Sequence, residues 1–322
     1  MSRSLSGRIR RVVLAGAVGA ALVAMPNHAQ AANDELAPKH INLNVQKAKD
    51  AKDSQAAEDQ ANAKAKRPPP GPTSNGISYH GGPLILGGTN AYVIWYGNWA
   101  NTNTTLTLVP AFLSSVGGSP YFNVNTTYYN GSNVHVTNSV TYAGSITDNY
   151  SQGASLSDAG VQAVVSSAIG SGGLPNDARG VYFVLTSSDV KETSGFLTQY
   201  CGWHTRGTIL GSDIKYSFVG DASASLSSCA VQTSSSPNNN PAGDAMISVI
   251  AHELEEATTD PDLNAWYDSR GAENADKCAW TFGTTTPAGN GSVYNMTLGG
   301  TKFLIQRNWV NASGGYCSVS YP

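Results

Sequence analysis

His252-Glu253-Leu254-Glu255-Glu256 lies within the run from Asp244 to Pro261. In a helix, residues four apart share a face one turn apart. His252 and Glu256 can therefore grip one ion, in the manner of the His-Glu-x-x-His helices of zinc hydrolases. Glu253 stands about 100° further round the helix, where a general base would act on a metal-activated water. Glu rather than His at position 256 adds negative charge, weakens the ion as a Lewis acid and favours oxygen-preferring ions. A divalent metal is implied, with zinc the leading candidate. The rival reading is a solvated acidic face formed by Glu253, Glu255 and Glu256. A third ligand can come from Glu273 or Asp276, 17 and 20 residues beyond Glu256, with Asp262 a further candidate. Glu273 and Asp276 also suit turn-capping roles.

Positioning such ligands requires a long helix and a segment folded back on it. At 100° per residue Ile247, Ile250, Ala251 and Leu254 form one stripe, and Ala245, Val249, His252 and Glu256 nearly the opposite one. Pro261 disfavours helical geometry at Asp260, which ends the helix. Shorter helices are expected over Val109–Val116 and Asp158–Ile169, the latter with Ser157 as N-cap. Stretches rich in Val, Ile, Tyr and Phe predict strands at Ala91–Tyr96, Val134–Tyr142, Gly180–Thr186, Lys215–Val219 and Lys302–Trp309. The expected class is α+β: a mixed sheet packed with a few helices, one of them a zincin-like active-site helix.

The chain begins with an arginine-bearing stretch, an apolar run from Val12 to Met25, then Ala29-Gln30-Ala31. These are the three parts of an export signal, and the run is too short for a stable membrane anchor. Losing Arg3, Arg8, Arg10 and Arg11 with residues 1–31 moves the formal net charge from −3 to −7. So acidic a chain has no general electrostatic attraction to nucleic acid. Residues 32–75 are rich in Ala, Lys, Asp and Gln and end in a proline cluster. They lack a continuous apolar face and read as a disordered spacer or propeptide. Residues 76–322 are expected to form one globular domain. Four cysteines in an exported chain favour two disulfides. Of three pairings, Cys201–Cys229 with Cys278–Cys317 closes the shortest loops and is preferred.

Several motifs carry a family resemblance. Tyr79-His-Gly-Gly-Pro83, Val93-Ile-Trp-Tyr-Gly97, Cys201-Gly-Trp-His204, the stretch from His252, Asn264-Ala-Trp-Tyr267, Glu273-x-x-Asp-x-Cys278, Tyr294-Asn295 and Lys302-Phe-Leu-Ile-Gln306 together resemble the EXORDIUM, or phosphate-induced protein, family. The resemblance covers most of Gly76 to Cys317. It implies a secreted, cell-wall-associated protein and supplies no biochemical activity. It draws His80 and His204 in as metal ligands or groups that polarise a substrate carbonyl, and Tyr267 as a substrate contact. Structural hydrogen bonding is the plainer role for each histidine. Tyr92, Trp95, Tyr96 and Trp99 suggest a sugar-stacking platform, although strand alternation favours core packing.

Two functions fit. One is a secreted zincin-like metallohydrolase acting on an extracellular peptide, with His252 and Glu256 as ligands, Glu273 or Asp276 third, and Glu253 and His204 catalytic. The other is a non-catalytic protein binding a cell-wall polymer, its metal site structural.

Overall fold

The computed structural model describes residues 39–47 and 75–322. The export signal, and most of the stretch read as a spacer, lie outside the described residues. The centre is a six-stranded mixed sheet. Its strands are β1 (Lys39–Ile41), β2 (Thr89–Tyr96), β3 (Val140–Asp148), β4 (Gly180–Thr186), β5 (Tyr200–Ile209) and β6 (Ser212–Gly220). Across the sheet they run β1-β5-β6-β4-β2-β3. The four from β6 to β3 pair in parallel, while β5 returns antiparallel to β6 and β1 lies antiparallel on β5.

The three principal helices are α1 (Thr105–Val116), α2 (Asp158–Gly170) and α3 (Pro241–Thr259). Alternation along the strands assigns their side chains to two cores. Ala91, Val93 and Trp95 pack with α1 and α3 on one face. Tyr92, Ile94 and Tyr96 pack with α2 on the other. Their burial rules out the sugar platform, and Trp99 packs its ring edgewise on Trp95 at 5.1 Å. Ser157 caps α2 by accepting from the Gly160 amide at 3.1 Å, the bond its side chain is suited to make.

Two expected strands are corrected. The strand expected over Val134–Tyr142 begins only at Val140 and extends to Asp148, so residues 134–139 lie outside it. Lys302–Trp309 is interrupted, leaving short strands at Thr301–Phe303 and Asn308–Val310. The Asn295 side chain takes both the amide and the carbonyl of Ile305, at 2.9 and 2.6 Å, in place of a neighbouring strand. The reading of residues 32–75 as a spacer also overlooked a strand: Lys39–Ile41 joins the sheet and buries His40.

Both expected disulfides form, Cys201–Cys229 and Cys278–Cys317. Among the described residues no helix is long and apolar enough to cross a membrane.

Candidate metal centre

Asn240 starts α3 by accepting from the Gly243 amide at 3.0 Å, with Pro241 in the first turn. The helix ends where the Asp260 amide reaches the Glu256 carbonyl at 2.7 Å. Asp260 then accepts from the Asn264 and Ala265 amides, both at 2.6 Å, and turns the chain. Helix α3 is buried on every side from Ala242 to Thr259. The solvated acidic face is therefore excluded: Glu253, Glu255 and Glu256 are at most 1% exposed.

Glu255 belongs to neither candidate ligand group and accepts from the Asn308 side-chain amide nitrogen. It belongs to the packing of the C-terminal strands. Glu256 faces His252, with His252 Nε2 3.0 Å from its Oε1. The Asp276 amide donates to the same oxygen at 3.0 Å. The other oxygen of Glu256 lies 3.8 Å from His204 Nε2. That nitrogen lies within hydrogen-bond distance of Glu273 Oε2, at 3.1 Å, and His252 Nε2 stands 3.4 Å from Asp276 Oδ1.

The ligand-bearing atoms fall into two adjoining groups: His204 with Glu256 and Glu273, and His252 with Asp276 and His40. Glu256 links them. Its neighbours come from three places. Strand β5 delivers His204 on the face it shares with Gly202, two residues away. The segment held by Cys278–Cys317 delivers Glu273 and Asp276. Strand β1 delivers His40, whose ring centroid is 3.8 Å from that of His252 and 4.9 Å from that of Trp280.

Glycine at position 202 is a steric necessity. A Cβ there would lie 2.6 Å from Val249 Cγ1 and 3.0 Å from Glu253 Oε1. Its absence lets α3 approach β5 and leaves Glu253 beside the cluster, with both carboxylate oxygens buried and unpartnered.

Electrostatics set these groups apart. Burial, then the neighbouring His252, lowers His204 to about 3, so its imidazole is neutral and ready to donate a lone pair. Burial opposes a charge on His252, but Glu256, Asp276 and Glu253 outweigh it and hold His252 well above the imidazole range. Burial raises Glu256 to about 7, against the attraction of His252. It raises Glu273 as well, reinforced by Glu256. Burying ionisable groups costs several kcal/mol each unless they are well paired. Among the described residues the ion-pair partners of Glu256 and Glu273 are histidines, not Lys or Arg. His252 Nε2, His204 Nδ1 and Glu273 Oε1 lack hydrogen-bond partners. A divalent cation would supply the missing positive charge and use such lone pairs, so the donor set fits one.

Other proposed positions fall outside the two groups. His80 is exposed, stacks on Tyr267 at 3.7 Å and donates to its carbonyl at 3.1 Å. Asp262 pairs with Lys215 and Arg206 at 3.6 and 3.9 Å. Sequence reasoning missed His40. The strand that carries it spans only Lys39–Ile41 and residues 43–47 are helical, so no run of strand length marked it in the sequence. A surface cavity of about 310 Å³ lies against α3, lined by Asp244, Ser248, Trp280, Phe282 and Leu304 among others, and none of the cluster residues lines it.

Residues 77–318 match the family model described as phosphate-induced protein 1 conserved region. Protein EXORDIUM-like 5 of Arabidopsis thaliana is 31% identical, over 72% of this chain and 75% of its own length. Protein EXORDIUM-like 3 of the same plant is 30% identical, over 75% and 82%. Protein PHOSPHATE-INDUCED 1 of Nicotiana tabacum is 27% identical, over 61% and 68%. No solved structure matches the chain. With three quarters of its length inside that conserved region, and the buried His/Glu cluster inside it except for His40, the chain belongs to the phosphate-induced protein 1, or EXORDIUM, family.

Proposed function

We propose that this protein is a secreted, metal-dependent hydrolase with a zincin-like helix, acting on peptide bonds in extracellular material. One observation carries the reading: His204, His252, Glu256, Glu273 and Asp276 converge around α3, most of them fully buried, without Lys or Arg as ion-pair partners among the described residues. Buried carboxylates so arranged are costly without a cation.

His252 and Glu256 would hold the ion, with His204, Glu273 and Asp276 available to complete the shell. A bound divalent ion, zinc foremost, acts as a Lewis acid and lowers the pKa of water. Glu253 is the candidate proton acceptor. Its two unpartnered oxygens lie beside the ligands without belonging to either ligand group. Burial raises its pKa in the metal-free site, and a bound cation would oppose that shift and favour the carboxylate that can take a proton. The export signal and the two disulfides support a location outside the cytoplasm.

A second reading is a cell-wall-binding protein with a structural ion. The depth of burial favours it, because structural sites are closed whereas catalytic sites keep an open position. The test pairs metal analysis with hydrolysis. Purified protein should contain about one equivalent of divalent metal, as a single such site requires, and His252→Ala should lose it. Wild type should cleave denatured protein substrates in a chelator-sensitive way. Metal without cleavage supports the structural site. Equal metal in wild type and His252→Ala removes the site altogether.

A further inference from the structure

Strand β1 does not belong to the domain that it completes. The family match begins at residue 77, and β1 ends at Ile41. Yet β1 lies on the free edge of β5, directly over the metal cluster. His40 faces Gly202 across the ladder, with Lys39 opposite Trp203 and Ile41 opposite Tyr200. Gly202 is the residue whose missing Cβ leaves room for Glu253.

The seat grips backbone on both sides. On the far side from β5 the Trp280 indole donates to the Ile41 carbonyl at 2.9 Å. The Asn42 amide donates to the Gln199 carbonyl at 2.9 Å. The side-chain holds come from Lys39, His40 and Asn42: Lys39 pairs with Asp158 and donates to Ser194, both at 2.9 Å, and lies over the Tyr200 ring, His40 packs on His252 and Trp280, and Asn42 Nδ2 donates to the Leu197 carbonyl at 3.3 Å. A cleft that reads main chain from both walls suits an extended peptide added as an edge strand. The Cys201–Cys229 disulfide anchors the wall that presents this edge.

The centre of the strand delivers a ligand atom. His40 is 1% exposed, takes a hydrogen bond from Gln306 at 3.2 Å and lies in the ligand group of His252 and Asp276. Its ring covers that of His252 on the β1 side, with the centroids 3.8 Å apart.

We propose that β1 is an intramolecular occupant of a substrate cleft: residues 39–42 block the site in cis, and an extended peptide running antiparallel to β5 takes their place when they leave. This rests on the metallohydrolase reading for what the cleft serves, but not for its existence. It also reconciles the closed cluster with a catalytic role, since the closure comes from outside the conserved domain.

The test uses the full chain carrying Lys39→Ala, His40→Ala and Asn42→Ala together, which removes the side-chain holds and leaves the domain intact. The probe is a fluorescent peptide of the sequence from Ala37 to Gln46, measured by anisotropy with zinc and with chelator. The variant should bind it at least about tenfold more tightly than wild type, about 1.4 kcal/mol. A peptide N-methylated at alternate residues, unable to pair as a strand, should not bind. Equal affinity in wild type and variant, or no binding by a folded variant, overturns the proposal. If the variant fails to fold, hydrogen exchange in wild type decides. Those amides of residues 200–203 that bond to β1 should exchange through a local opening, at least about 100-fold faster than those of residues 215–219 in β6. Exchange of both only by global unfolding refutes the cleft. Binding that zinc leaves unchanged keeps the peptide seat and counts against the metal reading alone.

Discussion

Protons and metal compete for the same lone pairs, and the competition has a calculable sign. Burial raises Glu256 to about 7, from an ordinary 4.5. Its carboxylate neighbours hold His252 well above 6.5. In the metal-free chain both therefore keep a proton that the unfolded chain gives up at lower pH, so their contribution to stability falls as pH rises through the folded values. A cation must displace those protons. From about pH 6.5 to about pH 8 the cost of deprotonating Glu256 falls by about 0.8 kcal/mol, from the standard titration relation. A proton displaced from a group that stays protonated across the window adds about 1.4 kcal/mol per pH unit. The stabilisation by metal should therefore grow by about 1–3 kcal/mol over the window. At roughly 2–4 °C per kcal/mol for a domain of this size, the Tm gap between zinc-saturated and chelated protein should widen by roughly 2–12 °C. His204, lowered to about 3, is neutral in both states across this range and does not obscure the slope. Differential scanning calorimetry at several pH values, with saturating zinc and with chelator, reads the gap directly. A gap that is absent, constant or narrowing with pH would falsify the assignment of His252 and Glu256 as ligands.

Three further outcomes follow from the same geometry. Glu253→Gln should retain metal, because Glu253 lies in neither ligand group, while hydrolysis falls by about 10²–10⁴-fold; unchanged turnover at equal metal content would exclude it as the base. Gly202→Ala forces a Cβ to within 2.6 Å of Val249 Cγ1 and should cost about 1–3 kcal/mol by overpacking, seen as a lower Tm; a neutral effect would mean that α3 does not press on β5. Replacing Cys278 and Cys317 by Ala opens a loop with a sequence separation of 39 and should cost about 4 kcal/mol by chain entropy; metal affinity should weaken as well, since Glu273 and Asp276 lie in the segment it ties down, and affinity equal to wild type would show that the segment holds itself.

Much of the site was legible because its rules are local. The spacing of His252 and Glu256, the stop at Pro261 and the N-cap at Ser157 depend on residues within a turn or two. The disulfide pairing was legible from loop length, and β4 from its unbroken β-branched and aromatic run. What lay beyond reach depends on contacts distant in sequence. No periodicity marks α3 as buried on every side, because its glutamates are buried against β5, β1 and the segments around residues 273 and 308 rather than by apolar neighbours on the helix. Nor could spacing decide between Glu273 and Asp276 as candidate third ligand: the fold sets each beside a histidine, Glu273 against His204 and Asp276 against His252. The strand over Lys302–Trp309 was interrupted by a side chain from Asn295, a competitor for backbone groups that local propensity cannot foresee. His40 shows the limit most plainly. Lysine-rich composition classed its surroundings as spacer, and only the open edge of β5, formed by residues more than a hundred positions away, gave a three-residue segment something to pair with. Helix phase and the residue types of the candidate site were thus written in the sequence, whereas their burial and their partners arose from long-range packing, where each residue's environment is supplied by others it does not adjoin.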